Sequence, residues 1–292
     1  MKRLLAAALS LGLAALSGAS PALAQSSNEQ TELQIGQQEY QTLQQKGEII
    51  SSSPYYAILN PIAQQIKRVA DPQYFTPFKF ILVHEAQPNA FAVPGGNVYV
   101  TDSLMKFAQN REELAGVLCH ETSHTIHHDV LTIYQKQQRT ATMVTIGDIL
   151  ANVLTNGKSQ NVIDNGANII FALKTQGFSR DIERAADLKG ADTCAEAGSN
   201  PWGMVWLFKA FEKADTGGQM EILSDHPTNE HRIADLDAHF RSEPQLFSRF
   251  SSNIAYATPL GSNPSATRAT AYRAKAKPAK KGMFPPGSGY KF

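Results

Sequence analysis

The chain has 292 residues, of which roughly 270 remain once a leader is set aside, enough for one large domain or two small ones with a sizeable core. Its two cysteines, Cys119 and Cys194, exclude a disulfide framework, although an exported protein permits a single bridge. A net charge of +1 points to no class of partner, but its distribution is uneven. Arg268, Arg273, Lys275, Lys277, Lys280, Lys281 and Lys291 lie in a tail without an acid.

Residues 1–24 read as a secretory signal. Lys2 and Arg3 precede an apolar run from Leu4 to Ala15, and Ala22-Leu23-Ala24 is an A-x-A cleavage site. The run breaks at Ser17, Gly18 and Pro21, too early for a membrane anchor, and no cysteine follows the cleavage site to carry a lipid. From Asn28 to Lys46 a Gln- and Glu-rich stretch with Leu33, Tyr40 and Leu43 at helical spacing predicts an outer helix. Asn60-Pro61 then reads as an N-cap and first helical position, with Ile62, Ile66 and Val69 on one face and Asp71-Pro72 as the stop.

The period changes to two at Phe78, Phe80 and Leu82, which marks a strand, and Val98 to Val100 form another. Between them Pro94-Gly95-Gly96 punctuates a turn. A strand such as Asn89 to Val93 beside a cleft can present unpaired backbone groups to an extended peptide; the alternative is a plain surface hairpin.

Asn110 and Glu113 next form a capping box for a helix whose stripe is Leu114, Val117 and Leu118. Along it His120 and His124 stand four apart, on one face, where two imidazoles can grip one metal ion. Glu121 projects about 100° around the helix and can reach a water on the same ion. After this H-E-x-x-H helix, Met143 to Leu154 and Val162 to Leu173 fit buried or amphipathic helices better than membrane spans.

Zinc needs a third protein ligand, and Ser179 to Asp187 offers one. Glu183 and Asp187 lie on one face of a predicted helix, so Glu183 can complete a His₂Glu site while Asp187 accepts the free ring N–H of a ligand histidine. The alternative is an exposed helix paired with Arg180 and Arg184. Ala197 to Pro201 reads as a helix stop and restart, and Trp202 to Phe211 as an apolar helix. His226, in a loop, and Arg232, on the helix after it, can face the metal-bound water and oppose a developing oxyanion; the alternative is a helix entry with a capping histidine. Beyond Phe250 the composition turns to Ser, Ala, Pro, Gly and Lys and predicts a disordered tail.

Taken together, NAFAVPGGNVYVTDSL, ELAGVLCHETSH, SRDIERAAD with AGSNP, and DHPTNEHRI resemble the zinc metallopeptidase family of HtpX, Oma-type and CAAX prenyl endopeptidases, soluble periplasmic branch. The likeness runs from Ile35 to Leu236. It implies an α+β fold, a mostly helical gluzincin-like domain with a small mixed β-sheet beside the active-site helix. It implies one Zn²⁺ per chain on His120, His124 and Glu183, with Glu121 as general base. Asn89, Ala90, Phe91, Ala92 and Val93 fall on the family's substrate-pairing strand. His226 and Arg232 fall on residues implicated in transition-state stabilisation, and in some relatives that histidine instead occupies the metal's open site. Departures from the family pattern are Thr122-Ser123 inside the motif, Asp129 five residues beyond it, and Asp225 before His226.

The expected organisation is a leader (1–24), a peptidase domain (25–250) and a basic tail (251–292). The expected function is zinc-dependent endoproteolysis of exported or envelope proteins in periplasmic quality control. The competing reading is a chaperone-like assembly factor that binds extended chains with little cleavage. Expected partners are unfolded or extended proteins, with the tail touching membrane or envelope polymers peripherally. No nucleic acid is expected.

Overall fold

The computed structural model describes residues 26–139, 177–214, 226 and 230–260. The leader, the two apolar patches and the tail beyond 260 lie outside the described residues. Helix α1 (Ser27–Gln45) opens on a capping box in which Ser26 and Glu29 each satisfy the other's backbone N–H. Its buried stripe is Glu32, Ile35, Gly36, Glu39 and Leu43. A Cβ on Gly36 would stand 2.1 Å from the Pro94 carbonyl oxygen, so α1 meets the turn of a β-hairpin backbone to backbone.

Helix α2 (Tyr56–Ala70) starts one turn before the expected Asn60-Pro61 boundary and carries Pro61 inside it. Two contacts fix the earlier start: the Tyr56 hydroxyl donates to Ile50 O at 2.8 Å and accepts from Leu82 N at 3.1 Å. Burial of Ile58, Leu59, Ile62, Ala63 and Ile66 outweighs the one backbone bond that proline removes. Asp71-Pro72 ends the helix as expected, in a single 3₁₀ turn.

The sheet is mixed, with order β1-β3-β2. Strand β1 (Lys79–Val83) runs parallel to β3 (Asn97–Thr101), and β2 (Ala90–Val93) pairs antiparallel with β3, Ala92 opposite Val98. Every residue of β3 is buried, as a central strand requires, and β2 lies at the edge. Helix α3 (Asp102–Phe107) follows at once, capped by the Thr101 hydroxyl.

Helix α4 (Arg111–Ile126) carries the H-E-x-x-H residues and is buried from Glu113 to Thr125. Asn110 caps it through Glu113 N at 2.8 Å, and the Glu113 carboxylate turns back to Gln109 N at 2.7 Å. Two helices press on its backbone: α5 (Arg180–Glu196) through Gly190, whose absent Cβ would lie 3.0 Å from His120 Cα, and α6 (Trp202–Ala214) through Gly203 against Glu112. Cys119 and Cys194 form a buried disulfide that ties α4 to α5. Gly198, with φ 85°, ends α5 and lets the chain restart at Trp202. Helix α7 (Glu230–Ser242) and the short α8 (Pro244–Phe247) cover α5 and α6 with Leu236, Phe240 and Phe247.

Residues 251–260, assigned to the tail by composition, pack on the domain. Pro259 bridges Asn110, Thr258 O accepts from Arg111 N at 3.0 Å, and Leu260 is buried in the main core. Among the described residues, no helix is long and apolar enough to cross a membrane.

Candidate metal centre

His120 and His124 project one turn apart from α4, and their Nε2 atoms lie 3.0 Å from each other. Glu183 reaches in from α5, its oxygens 3.5 Å from His120 Nε2 and 3.6 Å from His124 Nε2. His226 completes the group, with Nδ1 2.8 Å from Glu183 Oε1 and 3.3 Å from His120 Nε2. All four are buried, and one ligand atom from each falls within a 4.8 Å cluster.

The far sides of the rings decide what the near sides are. His124 Nδ1 faces Asp129 Oδ2 at 2.8 Å, and His120 Nδ1 lies 3.0 Å from Asp187 Oδ1, though out of line for a straight hydrogen bond. Carboxylates at both Nδ1 atoms place the ring protons there, so each Nε2 turns a lone pair toward the other. Two lone pairs at 3.0 Å repel unless a cation lies between them. Two imidazoles and a carboxylate with charged groups behind them are the donor set of a catalytic zinc site, and the residues fit that ion.

Glu121 is buried beside this group. Its Oε2 accepts the Ala92 N–H at 3.0 Å, while Oε1 has no hydrogen-bond partner among the described residues and lies 3.4 Å from His226 Nε2. Burial raises the Glu121 pKa above the usual carboxylate range, against the pull of His226 and His124. His226 responds in the opposite sense: burial disfavours its charge, but Glu183 and Glu121 outweigh that and raise it to about 9. Glu183 is held far below the carboxylate range, where burial is overcome by His226, His120 and Arg232.

Arg232, on α7, is buried behind the ligands. Its Nε and Nη2 grip both oxygens of Asp187 at 2.6 Å, and Nη1 lies 2.8 Å from Glu183 Oε2. A bidentate pair of this kind fixes orientation as well as charge. The described structure thus brings together His120, Glu121, His124, Glu183, Asp187, His226 and Arg232, with Ala92 of the Asn89–Val93 strand against Glu121. Sequence reasoning overlooked two neighbours. Asp129 orients His124, a role its place just past the motif helix hinted at. Phe178 stacks on the His124 ring, 4.2 Å between centroids and 13° between planes; one aromatic before a helix carried no signal of this.

Fold and site together define a zinc metallopeptidase domain: an H-E-x-x-H helix, a glutamate donor from a second helix, and an edge strand alongside. The chain belongs to Peptidase family M48, whose model matches residues 58–239. It is similar to the beta-barrel assembly-enhancing protease of Yersinia pestis, 32% identical over 165 residues that make up 55% of this chain and 34% of that protein. The Escherichia coli (strain K12) protein of the same name is 29% identical over 209 residues, 70% of this chain and 42% of the relative. The mitochondrial metalloendopeptidase OMA1 of Schizosaccharomyces pombe is 24% identical over 180 residues, 60% of this chain and 51% of its own length. The chain therefore spans between a third and a half of these curated relatives.

Proposed function

We propose that the chain is a zinc-dependent endopeptidase that cuts exported or envelope proteins presented as extended segments, within envelope protein quality control. The observation that carries the reading is the pair of imidazole Nε2 atoms converging beside Glu183, with the Glu121 carboxylate buried next to them and an edge strand alongside. When bound, zinc supplies a Lewis acid that polarises the scissile carbonyl and acidifies water. His120, His124 and Glu183 hold the ion, with Asp187 and Asp129 orienting the two imidazoles.

Glu121 removes a proton from the attacking water and passes it to the leaving amine. Its place beside the ligands suits that shuttle, with Oε2 fixed by the Ala92 N–H and Oε1 left without a hydrogen-bond partner among the described residues. Asn89 to Val93 pairs with the peptide backbone as one more strand. His226 opposes the developing oxyanion, and Arg232 adds positive charge on the same side. Export to the periplasm through cleavage of residues 1–24 is part of the proposal, supported by the charged n-region and the A-x-A site. Peripheral contact of the basic tail with membrane or envelope polymers is a further part, supported by its acid-free composition.

Metal analysis combined with casein cleavage tests the mechanism. Glu121→Gln is expected to keep zinc and lose cleavage; full activity in that variant refutes the assignment. Wild-type protein that retains unfolded chains without cutting them supports an assembly factor instead.

A further inference from the structure

Glu32 is a buried acid that the proposed reaction does not use. It sits on α1, outside the residues matched by the family model, and is 1% exposed. Its carboxylate accepts from His128 Nδ1 at 3.0 and 2.9 Å, and Tyr74 also hydrogen-bonds to it. The Tyr74 oxygen in turn accepts the Gly95 N–H at 3.1 Å. Gly95, with φ 83°, lies in the turn joining β2 to β3, and its nearest neighbours include the Glu32 and Leu33 backbone of α1. His128 is the one non-glycine residue with positive φ among the described residues, at 57°, a strained conformation that its surroundings must hold.

These contacts form one chain of hydrogen bonds. It starts at the turn after the metal-binding helix, passes through α1 and Tyr74, and ends on the hairpin whose Ala92 N–H meets Glu121. A buried carboxylate satisfied from two sides specifies one geometry, because losing either partner leaves polar atoms without water. The hairpin itself is short, and among the described residues its outer strand has no second strand beside it. The hairpin packs directly on α4, and α1 braces it from the other end through Ile35 and Leu43 against Phe91 and Val93 and through the Tyr74–Gly95 bond.

We infer that Glu32, acting through Tyr74 and His128, is a positioning residue that holds strand β2 at working distance from Glu121, so that helix α1 is part of the substrate-binding apparatus. The inference rests on the reading of β2 as the strand that pairs with peptide. Glu32→Ala and Tyr74→Phe each break the chain of hydrogen bonds at a different link, and Glu32→Gln keeps an acceptor in place.

The test measures three things on the full chain: zinc content, steady-state cleavage of an extended fluorogenic peptide, and hydrogen exchange of the 90–93 amides without substrate. Glu32→Ala and Tyr74→Phe are expected to raise KM about tenfold with kcat within about twofold and zinc unchanged. The 90–93 amides should exchange about tenfold faster while those of α4 do not change. Glu32→Gln should recover most of the KM, and the double variant should be no worse than either single, since both cut one chain. Unaltered exchange at 90–93, or a loss confined to kcat together with zinc, overturns the inference. If wild-type protein cleaves no peptide, the peptidase reading fails while the exchange measurement still decides the role of Glu32.

Discussion

Reduction of the Cys119–Cys194 bridge is the perturbation whose size follows most directly from the fold. The bridge closes a connection of 75 residues between the helix that carries His120 and the helix that carries Glu183. In the chain-entropy model, opening a loop of that length relaxes the unfolded state by about 4.5 kcal/mol. For a domain of this size each kcal/mol moves the melting temperature by about 2–4 °C, so reduction should lower Tm by about 9–18 °C. The assay is thermal unfolding of oxidised and reduced protein, each with and without a chelator, with thiols titrated beforehand. Because zinc binds the folded state and the bridge acts on the unfolded one, the two effects should add. A shift below about 3 °C, or two titratable thiols in the native unreduced protein, refutes the reasoning.

Three further outcomes follow from the site and its surroundings. His226→Ala should lower kcat by about 10²–10³ with zinc retained on the other three donors, measured by peptide turnover and metal analysis; a gain in activity would instead mark His226 as a restraint on the metal. Arg232→Ala leaves the buried Asp187 carboxylate without its bidentate cation and Glu183 with its histidine partners alone, and should cost about 3–5 kcal/mol in chemical denaturation, whereas an unchanged midpoint removes Arg232 from the support of the ligands. Asp102 is held below the usual carboxylate range: burial pushes it up, but the Lys106 ammonium at 2.6 Å, the Glu85 N–H and the His84 charge outweigh that. Its contribution is therefore complete above the unfolded carboxylate pKa and is lost as pH falls through the lower folded value. Asp102→Asn should cost about 1 kcal/mol at pH 7 and nothing in strong acid; a pH-independent difference would contradict the pairing.

Much of the site was legible because helical periodicity is a local rule. His120 and His124 share a face by arithmetic alone, and Glu183 and Asp187 do so on a second helix. Which ring Asp187 serves was not legible, since that depends on how two helices cross, and the crossing is set by Gly190 against His120. Asp129 escaped for a related reason: it reaches back to His124 only because the helix ends at Ile126 and the chain turns through His128. The start of α2 was misplaced because Asn-Pro is a good local boundary, whereas the real one is held from a distance by Tyr56 bonding to Ile50 and Leu82. Cys119 and Cys194 are 75 residues apart, and only the packing of α4 on α5 brings them together. Helix α1 looked peripheral from its Gln-rich composition, yet Glu32 and Gly36 are its points of attachment to the hairpin.

The segment from Thr258 to Leu260 sets a practical limit on where the chain can be shortened. The first backbone N–H of the H-E-x-x-H helix, that of Arg111, has Thr258 O as its acceptor, and Glu112 takes the Thr258 N–H at 2.9 Å. A truncation at Phe250, where composition alone would place it, strips those partners and uncovers the core around Leu260. One at Leu260 keeps them. Shortened forms meant for crystallisation or metal titration should therefore retain residues 251–260, or the helix bearing His120 will begin with a frayed first turn.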